Sequence, residues 1–272
     1  MATKVGKKAE QAGDSASLQL LARFGLIAYA GVHLLIGWLA LRLAWGASAS
    51  KSADSSGALM TLAAQPFGKI LLWLVASGLL ALALWQGSAA IWGYRDCAAA
   101  QRVRKRFTSG AKAAIYLALG VSAASVSLGS RSSSSQSQQH TTSGVLAWPG
   151  GQVIVVIAGV IIIGVGVASV VKGVTASFGE EIDSSSLPPA VRQGVARLGQ
   201  VGYVTKGVAL GLVGGLLGYA ALTFEQSKAR GLNGALQAIL AQPFGRLMLT
   251  TVGLGFIAFG LFATLQSRYR PM

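Results

Sequence analysis

Three apolar stretches of the chain each carry a tyrosine one helical turn from a basic side chain: Tyr29 with His33, Lys112 with Tyr116, and Tyr203 with Lys206. Spacings of three or four residues put each pair on one helix face. An ammonium or imidazole beside a phenol is a donor set suited to an anion, since lysine supplies charge and N–H groups and tyrosine adds an O–H. Two roles follow. In one, the lysines extend to lipid headgroups while the tyrosines join the interfacial belt. In the other, the three pairs converge near a common axis and hold an anionic group such as a lipid phosphate.

Other chemistry finds little support. The two histidines, His33 and His140, supply no metal-binding spacing, and no acidic pair lies near either. His33 alone would serve as a proton relay, a quinone or haem contact, or a donor in one interhelical hydrogen bond. Bis-histidine haem ligation needs a second histidine in a span. No phosphate-binding glycine loop and no Gly-x-Ser-x-Gly elbow occurs. The carboxylates Glu10, Asp14, Asp54, Asp96, Glu180, Glu181, Asp183 and Glu225 all fall outside the apolar stretches, where coupled transporters usually keep theirs. Cys97 is the single cysteine, so no intramolecular disulfide forms. No metal, no cofactor and no enzymatic activity is expected.

The elements that must position these pairs are membrane spans. Of 272 residues, 53% are hydrophobic and 11% charged, and the mean hydropathy is +0.57. Soluble domains carry about a quarter charged residues. The net charge of +15 suits a nucleic-acid binder at first sight. Its distribution does not, because the basic residues cluster in short segments between apolar runs without interleaved aromatics. Six stretches of about 20 residues qualify as spans, near 20–43, 69–93, 110–129, 152–171, 199–222 and 246–266. The third, with Ser122, Ser125 and Ser127, is expected to be shielded by its neighbours. The first is too long for a signal segment despite Ala47-Ser48-Ala49, and reads as a retained span.

Internal repetition organises the spans. Gly57-Ala58-Leu59 and Gln65-Pro66-Phe67-Gly68-Lys69 recur as Gly234-Ala235-Leu236 and Gln242-Pro243-Phe244-Gly245-Arg246. A weaker copy has Pro149, Gly151 and Gln152. The proline suits the first turn of the span it precedes, and 57–64 and 234–241 suit short helices on the outer surface. In the odd spans, Arg23, Gly25 and Tyr29 match Arg197, Gly199 and Tyr203 in spacing, which sets Lys206 opposite Val32. The unit is span, external loop, span, linker. The predicted fold is an all-α polytopic membrane bundle: a tail over 1–17, then three hairpin repeats over 18–96, 97–178 and 179–272, related by a pseudo-threefold axis along the membrane normal.

Basic residues set the orientation. Lys4, Lys7, Lys8 and Arg23, then Arg95, Arg102, Arg104, Lys105 and Arg106, then Arg192, Arg197, Arg268 and Arg270 fall on one side. The other has Lys51, Lys69, Arg131, Lys228, Arg230 and Arg246. Both termini are therefore expected in the cytoplasm, with the chain in the plasma membrane. The run over 102–106 enforces that topology, with Glu180, Glu181 and Asp183 as an internal partner. Residues 130–143, rich in serine and glutamine, read as a flexible external loop. The stripes Gly207, Gly211, Gly215 and Gly214, Gly218 suit close helix packing within the chain.

The repeated pattern, Arg-x-Gly opening the odd spans and Gln-Pro-Phe-Gly-Lys/Arg opening the even ones, resembles the bacterial membrane family called domain of unknown function 1206. The resemblance covers the chain from about residue 18 and implies tandem two-helix units. It brings no activity with it. The expected role is a non-enzymatic protein that binds lipid or supports a membrane complex. Its partners would be anionic headgroups on the cytoplasmic face or a membrane protein, and not nucleic acid. A transporter or channel along the pseudo-axis is the alternative, followed by an enzyme acting on lipid.

Overall fold

The computed structural model describes residues 16–46, 52–94, 98–130, 134–178, 189–223, 229 and 231–269. The tail lysines, Cys97, Asp96 and the carboxylates of the fourth linker lie outside them. The described residues form helices and no strand: α1 (Ala16–Ala44), α2 (Ser55–Ala63), α3 (Gly68–Trp92), α4 (Ala99–Ser127), α5 (Ser134–Leu146), α6 (Gly151–Val174), α7 (Pro189–Thr223), α8 (Gly231–Leu240) and α9 (Gly245–Tyr269). Six of them, α1, α3, α4, α6, α7 and α9, are long and apolar enough to cross a membrane. The chain is thus an all-helical multi-pass bundle, and α2, α5 and α8 each precede an even span.

The repeated proline motif builds the turn into each even span. Gly68 N–H donates to the Gln65 carbonyl (2.9 Å), Gly151 to Trp148 (2.9 Å) and Gly245 to Gln242 (2.8 Å). The residue after each proline is left-handed: Phe67 at φ 62°, Gly150 at 78° and Phe244 at 60°. Proline followed by a positive φ, closed by that hydrogen bond, is the pattern of a type II turn. The proline therefore starts a turn before the helix instead of occupying its first turn. The final glycine is required by space, since a Cβ there would run into the carbonyl oxygen of Ala63, Val145 or Leu240. Asp54 caps α2, accepting from Gly57 N–H at 2.9 Å and from the Ser56 hydroxyl at 2.6 Å. Asn233 Oδ1 accepts from Ala53 N–H at 3.0 Å and ties this cap to α8.

Packing runs antiparallel from helix to helix as an arc: α4 on α3, α3 on α1, α1 on α9, α9 on α7 and α7 on α6. The most extensive contacts, α6 with α7, α1 with α9 and α3 with α4, join successive repeats cyclically. The two ends of the arc, α4 and α6, barely touch although they form the second hairpin. Small residues set the closest approaches. A Cβ on Gly166 would fall 2.7 Å from the Gly207 carbonyl oxygen, and one on Gly159 would fall 3.0 Å from that of Gly214. Gly37 and Gly253 repeat the contact between α1 and α9. Gly207 and Gly214 of the expected stripes thus pack within the chain, whereas a Cβ at Gly211, Gly215 or Gly218 would meet open space.

We call the side reached by the first residues of α1 and the last of α9 the terminal side. On the far side, Val32, Ile36, Leu39, Leu72, Leu249 and Phe256 pack with Ala58 and Leu59 of α2 and Leu236 and Ile239 of α8 into a buried apolar core. The short helices are thus wedged into the bundle. Two expectations change here. The third span is not shielded: only 22% of its most apolar window is buried, against 56% in α1. Two of its serines bond to their own helix instead, Ser122 donating to the Ala118 carbonyl (2.8 Å) and Ser127 to that of Ala124 (2.6 Å). The serine-rich segment is not a loop but the 13-residue α5, which packs on α6 and α8 and buries Thr142. No glycine or proline interrupts it before Gly144.

The basic run over 102–106 also has a structural task. Arg102 Nε donates to the Tyr94 carbonyl and Arg106 Nε to the Gly93 carbonyl, each at 3.2 Å. Cationic side chains there satisfy acceptors just beyond the end of α3 and complement its dipole.

Candidate functional site

Midway along α1 the apolar core gives way to an aromatic and basic cluster on the terminal side. Tyr29, Tyr116 and Phe259 are buried in it beside Leu26, Leu79 and Leu82. The Tyr29 and Tyr116 rings meet edge to face at 5.3 Å, joining α1 to α4. Tyr203 of α7 meets Phe259 edge to face at 5.3 Å and stacks on Phe178 at 5.8 Å. Large side chains from three odd spans and α9 therefore meet in one cluster, and the Tyr29–Tyr116 pair bridges α1 and α4, whose backbones are not neighbours. Such ring pairs contribute about 0.5–1.5 kcal/mol each beyond their burial.

Two lysines enter this cluster. Lys206 Nζ donates to the Tyr29 hydroxyl at 2.6 Å, and it lies 4.5 Å from the Phe259 ring centroid and 5.2 Å from that of Tyr29. Lys172 Nζ donates to the Tyr203 hydroxyl at 3.3 Å and sits 4.6 Å from its ring centroid. An ammonium on the face of an aromatic ring gains roughly 0.5–2 kcal/mol from the ring quadrupole. The positive charge is thus held by phenol oxygens and aromatic faces.

Five of the six residues singled out by spacing come together here. Within the third-repeat pair the geometry departs from expectation. Lys206 reaches across to Tyr29 of α1, and the lysine bonded to Tyr203 is Lys172 of α6, one residue past the expected end of that span. Its position as the one basic residue of α6 was the signal available for it. Lys112 lies half-buried one turn from Tyr116, nearer the terminal side of α4. His33 is buried with its ring 4.8 Å from that of Phe259. Its Nδ1 lies 2.8 Å from the Tyr29 carbonyl oxygen, so this bond stays within its own helix. A carbonyl only accepts, so Nδ1 carries the proton. The signature residues Gln65, Pro66, Phe67, Gly68, Pro149, Gly151, Gln242, Pro243, Phe244 and Gly245 lie at the turns on the far side, away from this cluster. Among the described residues, no group of three or more metal-ligating side chains occurs.

The Domain of Unknown Function (DUF1206) family matches the chain three times, over residues 24–93, 107–176 and 201–270. Counted from the start of each match, Tyr29, Lys112 and Lys206 occupy the same position. The odd-span alignment through Tyr29 and Tyr203 is therefore three residues out of register. The packing agrees with the family's register, because Gly207 then corresponds to Ala30, and Gly166 to Gly260. A Cβ on Gly207 falls 2.5 Å from the Gly166 carbonyl oxygen, and one on Gly260 falls 3.0 Å from that of Ala30. One phenol and two lysines, Tyr29, Lys112 and Lys206, thus occupy equivalent positions of the three repeats, and Lys206 meets Tyr29 directly. A relative from Bacillus subtilis (strain 168), "Uncharacterized protein YxxB", is 31% identical over 251 residues, covering 92% of this chain and 90% of the relative. No solved structure matches the chain. With three tandem matches along most of its length, the chain belongs to the DUF1206 family.

Proposed function

We propose that the chain is a non-enzymatic plasma-membrane protein, with both termini in the cytoplasm, that binds the anionic headgroup of a membrane lipid at the Lys206, Lys172 and Lys112 level. The observation that carries this reading is the direction of Lys206. A lysine that merely snorkels sends its ammonium to the nearest water. Lys206 instead reaches across the bundle to the Tyr29 hydroxyl. A lysine inside a span costs roughly 2.5–3.5 kcal/mol on insertion, so an inward one marks a functional site. A phenol that accepts from an ammonium is polarised into a better O–H donor, and the lysine and tyrosine together match the oxygens of a phosphate. The cluster lies on the side that the positive-inside rule assigns to the cytoplasm.

An axial path is the competing use of a threefold arrangement. The packed apolar layer formed by Ile36, Leu39, Leu59, Leu236 and Phe256 on the far side argues against a continuous one. The test is mass spectrometry of the gently extracted protein and of its Lys172→Gln/Lys206→Gln variant. Wild type is expected to carry an enriched anionic phospholipid, and the variant about tenfold less of it. A stoichiometric protein partner without enriched lipid would replace this reading with that of an accessory subunit.

A further inference from the structure

The second hairpin is open where the other two are closed. In repeat one, a Cβ on Gly25 would strike the Gly78 carbonyl oxygen, and in repeat three one on Gly202 would fall 2.6 Å from Phe259 Cα while one on Gly255 would strike Thr205. These glycines let α1 approach α3 and α7 approach α9. In the family's register the corresponding residues of repeat two are Thr108 on α4 and Ile161 on α6. Both are exposed, Ile161 at 55%. The short helix follows the same pattern: α2 packs on α1 and α3 and also reaches α4, and α8 packs on α7 and α9, but α5 packs on α6 and α8 and leaves α4 aside, so no short helix holds α4 and α6 together. Two β-branched residues replacing two glycines, with no short helix clamping α4 to α6, account for the opening.

What flanks the opening is basic. Lys112 stands on α4, one turn from Tyr116 of the cluster, and Lys172 stands in the last turn of α6. Lys206 lies on Tyr29, whose ring meets that of Tyr116. A space bordered by apolar helices in its membrane half and by lysines on its terminal side matches the two parts of a phospholipid, an acyl chain and an anionic phosphate. We infer that the opening between α4 and α6 admits one acyl chain of a net-anionic bilayer phospholipid sideways from the membrane, while its phosphate lies at Lys112, Lys172 and Lys206. This rests on the headgroup reading above and adds the lipid's tail and its route. A soluble anion would use the same lysines but not the opening, and charge complementarity together with the lipid-facing position of the gap favours the lipid.

The experiment uses the full chain in micelles, titrated with phosphatidylglycerol, phosphatidylcholine or inorganic phosphate and read by native mass spectrometry. Two kinds of change act on the gap alone. Ile161→Trp fills it, and Thr108→Gly/Ile161→Gly gives α4 and α6 the residues that close the other hairpins. Each is expected to weaken phosphatidylglycerol binding about tenfold and to leave inorganic phosphate binding within about twofold. Because one change adds bulk and the other removes it, a folding defect in one leaves the other informative. Phosphatidylglycerol binding that depends on Lys206 but survives both gap changes would overturn the tail inference and leave the headgroup reading standing. Equal binding of phosphatidylglycerol and phosphatidylcholine, or no binding of either phosphatidylglycerol or phosphate, would overturn both.

Discussion

Replacing Gly166 with alanine isolates what close helix approach contributes to this bundle. A Cβ on Gly166 falls 2.7 Å from the Gly207 carbonyl oxygen and 2.9 Å from the Gly211 nitrogen, both rigid backbone atoms of α7. Ordinary contact begins near 3.4 Å. Relief therefore needs α6 and α7 to part by ~0.7 Å, enough to forfeit a quarter to a half of each van der Waals attraction along the seam. Lipid drives helices together weakly, so that packing is most of what holds the pair. Overpacking of this kind costs about 1–3 kcal/mol. Gly164→Ala is the matched control, because its Cβ would meet nothing within 4 Å. Alanine's better helix propensity should make that change neutral or stabilising by about 0.5–1 kcal/mol. Equilibrium unfolding in mixed micelles with rising dodecyl sulfate is expected to place Gly166→Ala below Gly164→Ala by about 2 kcal/mol. Coincident midpoints for the two variants would refute the packing argument.

Three further expectations use the same unfolding assay or a simple labelling one. Phe67→Gly should stabilise by about 1 kcal/mol, since Phe67 pays a left-handed penalty that Gly150 avoids at the equivalent turn; a lower midpoint would show that its exposed ring contributes more than the strain costs. Asp54→Ala should cost about 1 kcal/mol through loss of the α2 cap, with Asp54→Asn recovering much of it; an unchanged midpoint would mean that α2 is held by burial alone. Cys97 should react with a membrane-impermeant maleimide only after cells are opened, and labelling in intact cells would invert the proposed topology.

Some of this was legible in the residues and some was not, for identifiable reasons. The even spans were readable because a type II turn tolerates few residues, so Pro66, Pro149 and Pro243 with their following glycines stand out. The odd spans were misaligned by three residues because Arg23, Gly25 and Tyr29 match Arg197, Gly199 and Tyr203 in kind, whereas the packing register depends on which face carries the small residues. α5 is not legible because its serines and glutamines lack an apolar period, and its place comes from α6 and α8. The exposure of α4 was misjudged because serines that bond to their own helix need no neighbour. Lys172 stands at a span boundary, where a lysine is ordinary and its spacing carries no signal. Spacing along one helix places each tyrosine and its basic neighbour on one face, but the partner of each lysine is a matter of tertiary geometry that such spacing does not contain.

The contact between α1 and α9 has a consequence for how the molecule comes into being. The principal partner of α1 is α9, which is made about 200 residues later. At usual synthesis speeds, on the order of ten seconds or more separate their emergence. During that interval the Gly37 face of α1, destined for Gly253, has no permanent neighbour and must wait in lipid or against the insertion machinery. A chain that stopped before α9 would then leave α1, made long before, with its main seam exposed.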